Sequence, residues 1–278
     1  AGAIDYKLFV PDGLGATTAP LIVMLHGCTQ SPDDFARGTR MNTFAREHGY
    51  VVAYPAQAKN RNASRCWNWF QSQDQQRGRG EPWLLAQLTH DVVKRYGLDD
   101  RRVFVAGMSA GGAMAAVLGS IYPDVYAAIG VHSGLPFGAA HDLPSAFAAM
   151  KHGSQEVPPM RPVASRRPPP AIVFHGDRDT TVDARNGAAV IAQCTADASS
   201  DNLRTTIERG VVPDGRNYTR TLFVDLSGKL MAEQWIVHGA GHAWSGGNSA
   251  GSYTDPSGPD ASEHMLRFFS AVARGPAI

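Results

Sequence analysis

The sequence is poor in cysteine. Three thiols, Cys28, Cys66 and Cys194, are spread over 278 residues and no C-x-x-C pair occurs, which speaks against zinc and dithiol redox sites. An odd count leaves at least one thiol free or paired outside the chain. Cys28 and Cys66 both follow strand-like runs expected on one edge of a sheet, so a Cys28–Cys66 bridge and three buried thiols are both open readings. Charge of one sign is missing too: 26 basic against 25 acidic residues leave a net +1. That balance offers no electrostatic footprint for nucleic acid or an anionic membrane surface. No apolar run approaches the ~20 residues that cross a bilayer. There is no internal repeat and no visible signal peptide, and the chain starts at Ala1 without Met, as a mature or trimmed chain does. No cofactor and no metal is expected, and nothing fixes the oligomeric state.

What the chain does have is enough apolar residue, 43% hydrophobic against 18% charged, for one large core. Strand patterns fall at 4–10, 21–25, 51–54, 103–106, 127–131 and 171–174, with a hairpin of 220–226 and 229–237 turning at Ser227-Gly228. Helical patterns fall between them at 35–48, 82–96, 186–194 and 262–273, with Gly49 and Gly97 at C-terminal caps. Strands alternating with helices predict an α/β fold, a doubly wound, mostly parallel sheet with helices on both faces. Residues 59–80 are polar with aromatic insertions and read as a long functional loop. Residues 135–170 break the alternation, hold a short helix near 143–150, and read as a small cap or rim insertion in one catalytic domain of 1–278. So short a segment borders a groove and does not build a deep lid.

The pentapeptide Gly107-Met108-Ser109-Ala110-Gly111 has the form G-x-S-x-G, preceded by a strand and followed by a small-residue helix pattern. That context makes it a nucleophile elbow of the α/β-hydrolase kind. Side chains at Gly107 or Gly111 would collide with the neighbouring strand or helix. A serine needs a base, and the base an orienting acid, in the chain order Ser, Asp/Glu, His. Asp177 and Asp179 follow the 171–174 strand, and His238 and His242 follow the last core strand. His238 lies at the strand end and packs there; His242, in a glycine-flanked loop, is free to reach over the sheet. Spacing favours Asp179 over Asp177, which is placed to brace the turn, without deciding between them. Ala110 N–H supplies one oxyanion donor and the 26–30 loop the second, with Cys28 N–H as candidate; His26 is a structural turn residue. Trp67 and Trp244 are candidate substrate-binding residues, with Trp69 structural; for Trp244, bracing the His242 loop is an equal alternative. Arg77 and Arg79 suit solvent or an ion pair with Glu81 better than a substrate carboxylate.

The segments LHGCTQ (25–30), RCWNWF (65–70), RGRGEP (77–82), GMSAGGAM (107–114), FHGDRDTTV (174–182) and HGAGHAW (238–244) together resemble the catalytic domain of polyhydroxybutyrate depolymerases, an esterase group that includes feruloyl and acetylxylan esterases. The resemblance runs from about Tyr6 to the last helix. It implies Ser109, Asp179 and His242 as a triad, which resolves the choice of acid, with Cys28 and Ala110 as oxyanion donors. It implies a serine esterase acting on short-chain polyhydroxyalkanoates or their oligomers, with a feruloyl or acetylxylan esterase as the alternative. A non-catalytic polymer-binding module is the rival from another class, and a serine peptidase of the same fold is weaker. Secreted members of the group often carry a separate polymer-binding domain, and none is visible here. A bridged Cys28–Cys66 would favour a secreted or periplasmic protein.

Overall fold

A computed structural model describes residues 3–12, 18–154, 168–196 and 203–273. Its centre is a nine-stranded sheet. In chain order the strands are β1 (Tyr6–Phe9), β2 (Leu21–Leu25), β3 (Val51–Pro55), β4 (Val103–Met108), β5 (Ala128–His132), β6 (Ala171–Gly176), β7 (Leu203–Val211), β8 (Asn217–Asp225) and β9 (Leu230–Val237). Their spatial order is β1-β3-β2-β4-β5-β6-β9-β8-β7. The six strands from β3 to β9 run parallel; β1 and the β8–β7 hairpin are antiparallel additions at the two edges.

The continuous apolar runs become the doubly covered centre. Every residue of β2, β4 and β5 is buried, as strands covered on both faces require. Alternation then splits each strand between two cores. Leu21, Val23 and Leu25 pack with Leu85 and Val92 of α3 (Gly80–Tyr96), Met114 of α4 (Ala110–Ile121) and Val190 of α6 (Arg185–Thr195). Ile22 and Met24 face Phe35 of α1 (Pro32–Thr39), Met41 of α2 (Met41–His48) and Phe268 and Phe269 of α7 (Ala261–Ala273). The result is the expected three-layer α/β arrangement, with α5 (Leu143–His152) in the rim segment.

Three local expectations change. The helix expected over 35–48 is two helices, because Arg40 takes φ 55° and its guanidinium is tied to Asp260 at 2.5 Å. Strand β7 was not expected: its residues are almost all exposed on both faces, so no alternation marks it. A short 3₁₀ turn, Ser72–Gln75, interrupts the 59–80 loop. The Ser227-Gly228 turn is present, with Asp225 Oδ1 accepting from the Ser227 and Lys229 N–H groups at 2.9 and 3.0 Å. Of the 135–170 segment, residues 155–167 lie outside those described.

Candidate active site

Every candidate sits beyond the carboxyl end of a parallel strand, where open α/β sheets place their ligand crevices. Ser109 joins β4 to α4 with φ 55° and ψ −121°, a conformation that costs a non-glycine residue about 1–3 kcal/mol. Surrounding structure holds it there. Ser109 N–H donates to His132 O at 2.8 Å, and all of α4 behind it is buried. A Cβ on Gly107 would strike the Gly111 backbone and Leu25 O, and one on Gly111 would strike Leu25 O. Both glycines are therefore steric requirements of the turn.

His242 Nδ1 lies 2.7 Å from Asp179 Oδ2. Asp179 Oδ1 accepts the Thr181 and Val182 N–H groups at 2.9 Å each, and its side chain has no solvent exposure. Burial by itself would raise this carboxyl. The hydrogen bonds and neighbouring imidazoles of His175 and His242 outweigh burial and hold it far below the usual carboxylate range. Asp177 is occupied elsewhere. Its Oδ2 lies 2.8 Å from His238 Nδ1 and its Oδ1 accepts Gly239 N–H at 2.7 Å, while His238 Nε2 meets Thr219 Oγ1 at 2.9 Å. The structure thus pairs the second aspartate with the second histidine, and each aspartate with the partner suited to its place.

Ser109, His242, Gly27 and Cys28 line one cavity of about 300 Å³, together with Gln30, Met108, Met150, Thr181 and Tyr253. Among the described residues, neither Cys28 N–H nor Ala110 N–H has a hydrogen-bond acceptor. The loop carrying Cys28 is pinned on all sides. Gly27 N–H donates to Gln30 Oε1 at 2.9 Å, and Gln30 Nε2 donates onward to Ser252 O at 3.1 Å. Thr29 N–H donates to Ser64 O at 2.6 Å. His26 Nε2 accepts Gln57 N–H at 3.2 Å, so its Nδ1–H donates to Gly27 O at 2.8 Å. A Cys28–Cys66 disulfide closes the set and leaves Cys194 as a buried free thiol.

Two aromatic expectations are corrected. Trp67 has no exposed surface; its indole N–H donates to His26 O at 3.1 Å, so it supports the loop from beneath. Trp244 is 1% exposed, donates to Ser262 Oγ at 3.2 Å and stacks on His132 with ring centres 5.0 Å apart. Neither ring reaches the cavity, because the apolar cores on either side of the sheet claim both. Arg77 pairs with Asp124, at 2.6 Å to each oxygen, and not with Glu81.

Four side chains escape a reading of motifs alone. Gln30, 3% exposed, holds the loop that carries Cys28. His175 is fully buried behind Asp179, its Nε2 2.9 Å from Val182 O and 3.5 Å from Asp179 Oδ2. His132 accepts Ser245 N–H at 3.0 Å through Nε2, and burial, with the nearby His175 and His242, pushes it down to about 3. Tyr253 stands half exposed at the cavity mouth. Gln30 and His175 lie inside the LHGCTQ and FHGD segments; their partners are distant in sequence or serve the backbone, so spacing gives no sign of them.

With this geometry in hand, comparison with known proteins is decisive for the family. The model of the esterase family of PHB depolymerases matches residues 4–200. The chain belongs to that family. Poly(3-hydroxyalkanoate) depolymerase C of Paucimonas lemoignei is 30% identical over 249 residues, which cover 87% of this chain and 58% of that protein. This family member therefore spans less than two thirds of that relative. Feruloyl esterase B of Neurospora crassa is 28% identical over 280 residues, covering 95% of this chain and 87% of the relative. Among solved structures, the acetyl xylan esterase from Aspergillus awamori superimposes with a TM-score of 0.71 at 21% identity, covering 86% of this chain and 89% of that one. That likeness establishes the α/β-hydrolase fold. Among the described residues, no helix is long and apolar enough to cross a membrane, and no group of three or more metal-ligating side chains is present.

Proposed function

We propose that this protein is a serine esterase hydrolysing short-chain polyhydroxyalkanoates or their oligomers, with residues 1–278 as one catalytic domain and 135–170 as its rim. The observation that carries the reading is the cavity shared by Ser109, His242 and the unpaired Cys28 N–H. His242 takes the Ser109 proton as Oγ attacks the ester carbonyl. Asp179 holds the ring by its Nδ1–H and stabilises the imidazolium. The Cys28 and Ala110 N–H groups receive the developing oxyanion. His242 returns the proton to the leaving alkoxide, then activates water to release the acyl group. Among the described residues no Lys or Arg lines the cavity, which suits a neutral acyl chain. The disulfide supports a secreted or periplasmic location.

A second reading, a feruloyl or acetylxylan esterase, is favoured by the long match to feruloyl esterase B and by Tyr253 beside the cavity. Turnover on polyhydroxybutyrate film, soluble hydroxybutyrate oligomers, methyl ferulate and acetylated xylan separates the two, with Ser109→Ala as control. Hydroxybutyrate release lost in Ser109→Ala is the expected result. Ferulate or acetate release alone would transfer the mechanism to plant-wall esters. Polymer binding without turnover would favour a binding module.

A further inference from the structure

A second cavity, of about 390 Å³, shares no residue with the Ser109 cavity. It lies between the 59–80 loop and the start of α3, and its walls carry Arg61, Asn68, Gln71, Asp74, Glu81 and Trp83. The site is built. Asp74 is 1% exposed, and its Oδ1 accepts Glu81 N–H at 2.5 Å. Glu81 is 5% exposed and fully engaged within the protein, accepting Asn68 N–H and Asn68 Nδ2–H at 2.7 Å each and Gln57 Nε2–H at 2.5 Å. Gly80 has no side chain where a Cβ would strike Asp74, which lets the helix start close against that carboxylate. Four of the five tryptophans, Trp67, Trp69, Trp235 and Trp244, are at most 4% exposed. Trp83 is the fifth, partly exposed and facing this cavity.

The lining selects among ligand classes. Two carboxylates disfavour an anion. Arg61 in the same wall disfavours a cation, and the described residues hold no group of three metal-ligating side chains. Along its length a polyester chain offers only acceptor oxygens, with a single hydroxyl at one end, so it has little to donate to Asp74. A saccharide supplies hydroxyls that donate to carboxylates and accept from Arg61 and amide N–H groups, while its ring C–H face packs on an indole. We propose that this cavity is a saccharide-binding subsite, with Trp83 as its platform and Asp74 and Gln71 as hydroxyl partners. It would hold a glycan chain at a site separate from the Ser109 cavity, without taking part in the chemistry.

The test is titration of the Ser109→Ala chain with xylohexaose, cellohexaose and the hydroxybutyrate trimer, followed by calorimetry and tryptophan fluorescence. At least one saccharide should bind, with a Kd on the order of 1 mM or tighter, and perturb the fluorescence, since Trp83 is the accessible indole. Trp83→Ala should weaken that binding at least tenfold while leaving p-nitrophenyl acetate turnover of the Ser109 enzyme intact, which shows the variant folded. Asp74→Asn should weaken it as well. Absence of saccharide binding, equal binding in Trp83→Ala, or Trp83-dependent binding of the hydroxybutyrate trimer instead would overturn the proposal. The readout is binding to a chain without its nucleophile, so it fails independently of the esterase reading.

Discussion

At the scale of single residues, the site trades backbone comfort for reach. Ser109 occupies a glycine-like conformation, φ 55° and ψ −121°, so that its hydroxyl stands above the sheet. Ser109→Gly should therefore be inactive yet more stable by about 1 kcal/mol, read from urea unfolding midpoints. An unchanged or lower midpoint would mean that the elbow holds no strain. Gln30 acts through the loop it grips and has no part in the chemistry itself. Replacing it with Leu removes the acceptor of Gly27 N–H and the donor to Ser252 O. Because a misplaced oxyanion donor weakens only transition-state binding, kcat on a soluble ester should fall by about 10²-fold with KM nearly unchanged. A matching rise in KM would show instead that Gln30 shapes ground-state binding. The proposed triad is legible in the sequence because motif order, strand ends and family likeness agree. Gln30 was not, since a buried amide between two backbone segments has no sequence period.

At the scale of elements, the long 59–80 loop is where expectation and structure part most. Trp67 reads as a rim residue, yet it is as buried as Trp69, whose structural role was expected, and the loop is fastened to the Cys28 turn by Cys28–Cys66. That bridge closes a separation of 38 residues, for which chain entropy gives a stabilisation of about 4 kcal/mol. Cys66→Ser should lower the unfolding free energy by a few kcal/mol and also reduce kcat, because Cys28 carries one of the two proposed oxyanion N–H groups. Parallel denaturation and single-turnover measurements check both halves. A variant that loses stability but keeps kcat would show that the other pins, Gln30, Ser64 and His26, hold the loop alone. The nearby division of 35–48 into two helices has the same lesson: the local pattern is helical throughout, and the left-handed backbone at Arg40, φ 55°, breaks it.

At the scale of the whole molecule, the histidines couple stability to pH. Burial first, then the neighbouring His175 and His242, push His132 from 6.5 down to about 3. Burial and Arg267 push His264 from 6.5 to about 4. Below about pH 6.5 the unfolded chain binds protons that the folded chain refuses, so acid favours unfolding. The unfolding free energy should be flat above pH 7 and decline from about pH 6.5 toward 4, each such histidine adding up to about 1.4 kcal/mol per pH unit. Asp179, whose folded value is depressed, adds stability that is present above 3.8 and lost below it. His264→Phe should make the slope between pH 6.5 and 4 visibly shallower in urea titrations; an unchanged slope would place the protons elsewhere. The sequence by itself determined the parallel α/β sheet, the elbow and the order in which Ser109, Asp179 and His242 follow their strands, because apolar period, obligatory glycines and strand-end position are properties of the chain read in line. The tertiary structure decided which aspartate meets which histidine, what pins the Cys28 loop, and whether an aromatic side chain faces core or solvent. Those outcomes depend on which distant segments compete for the same space, and no local pattern records that competition.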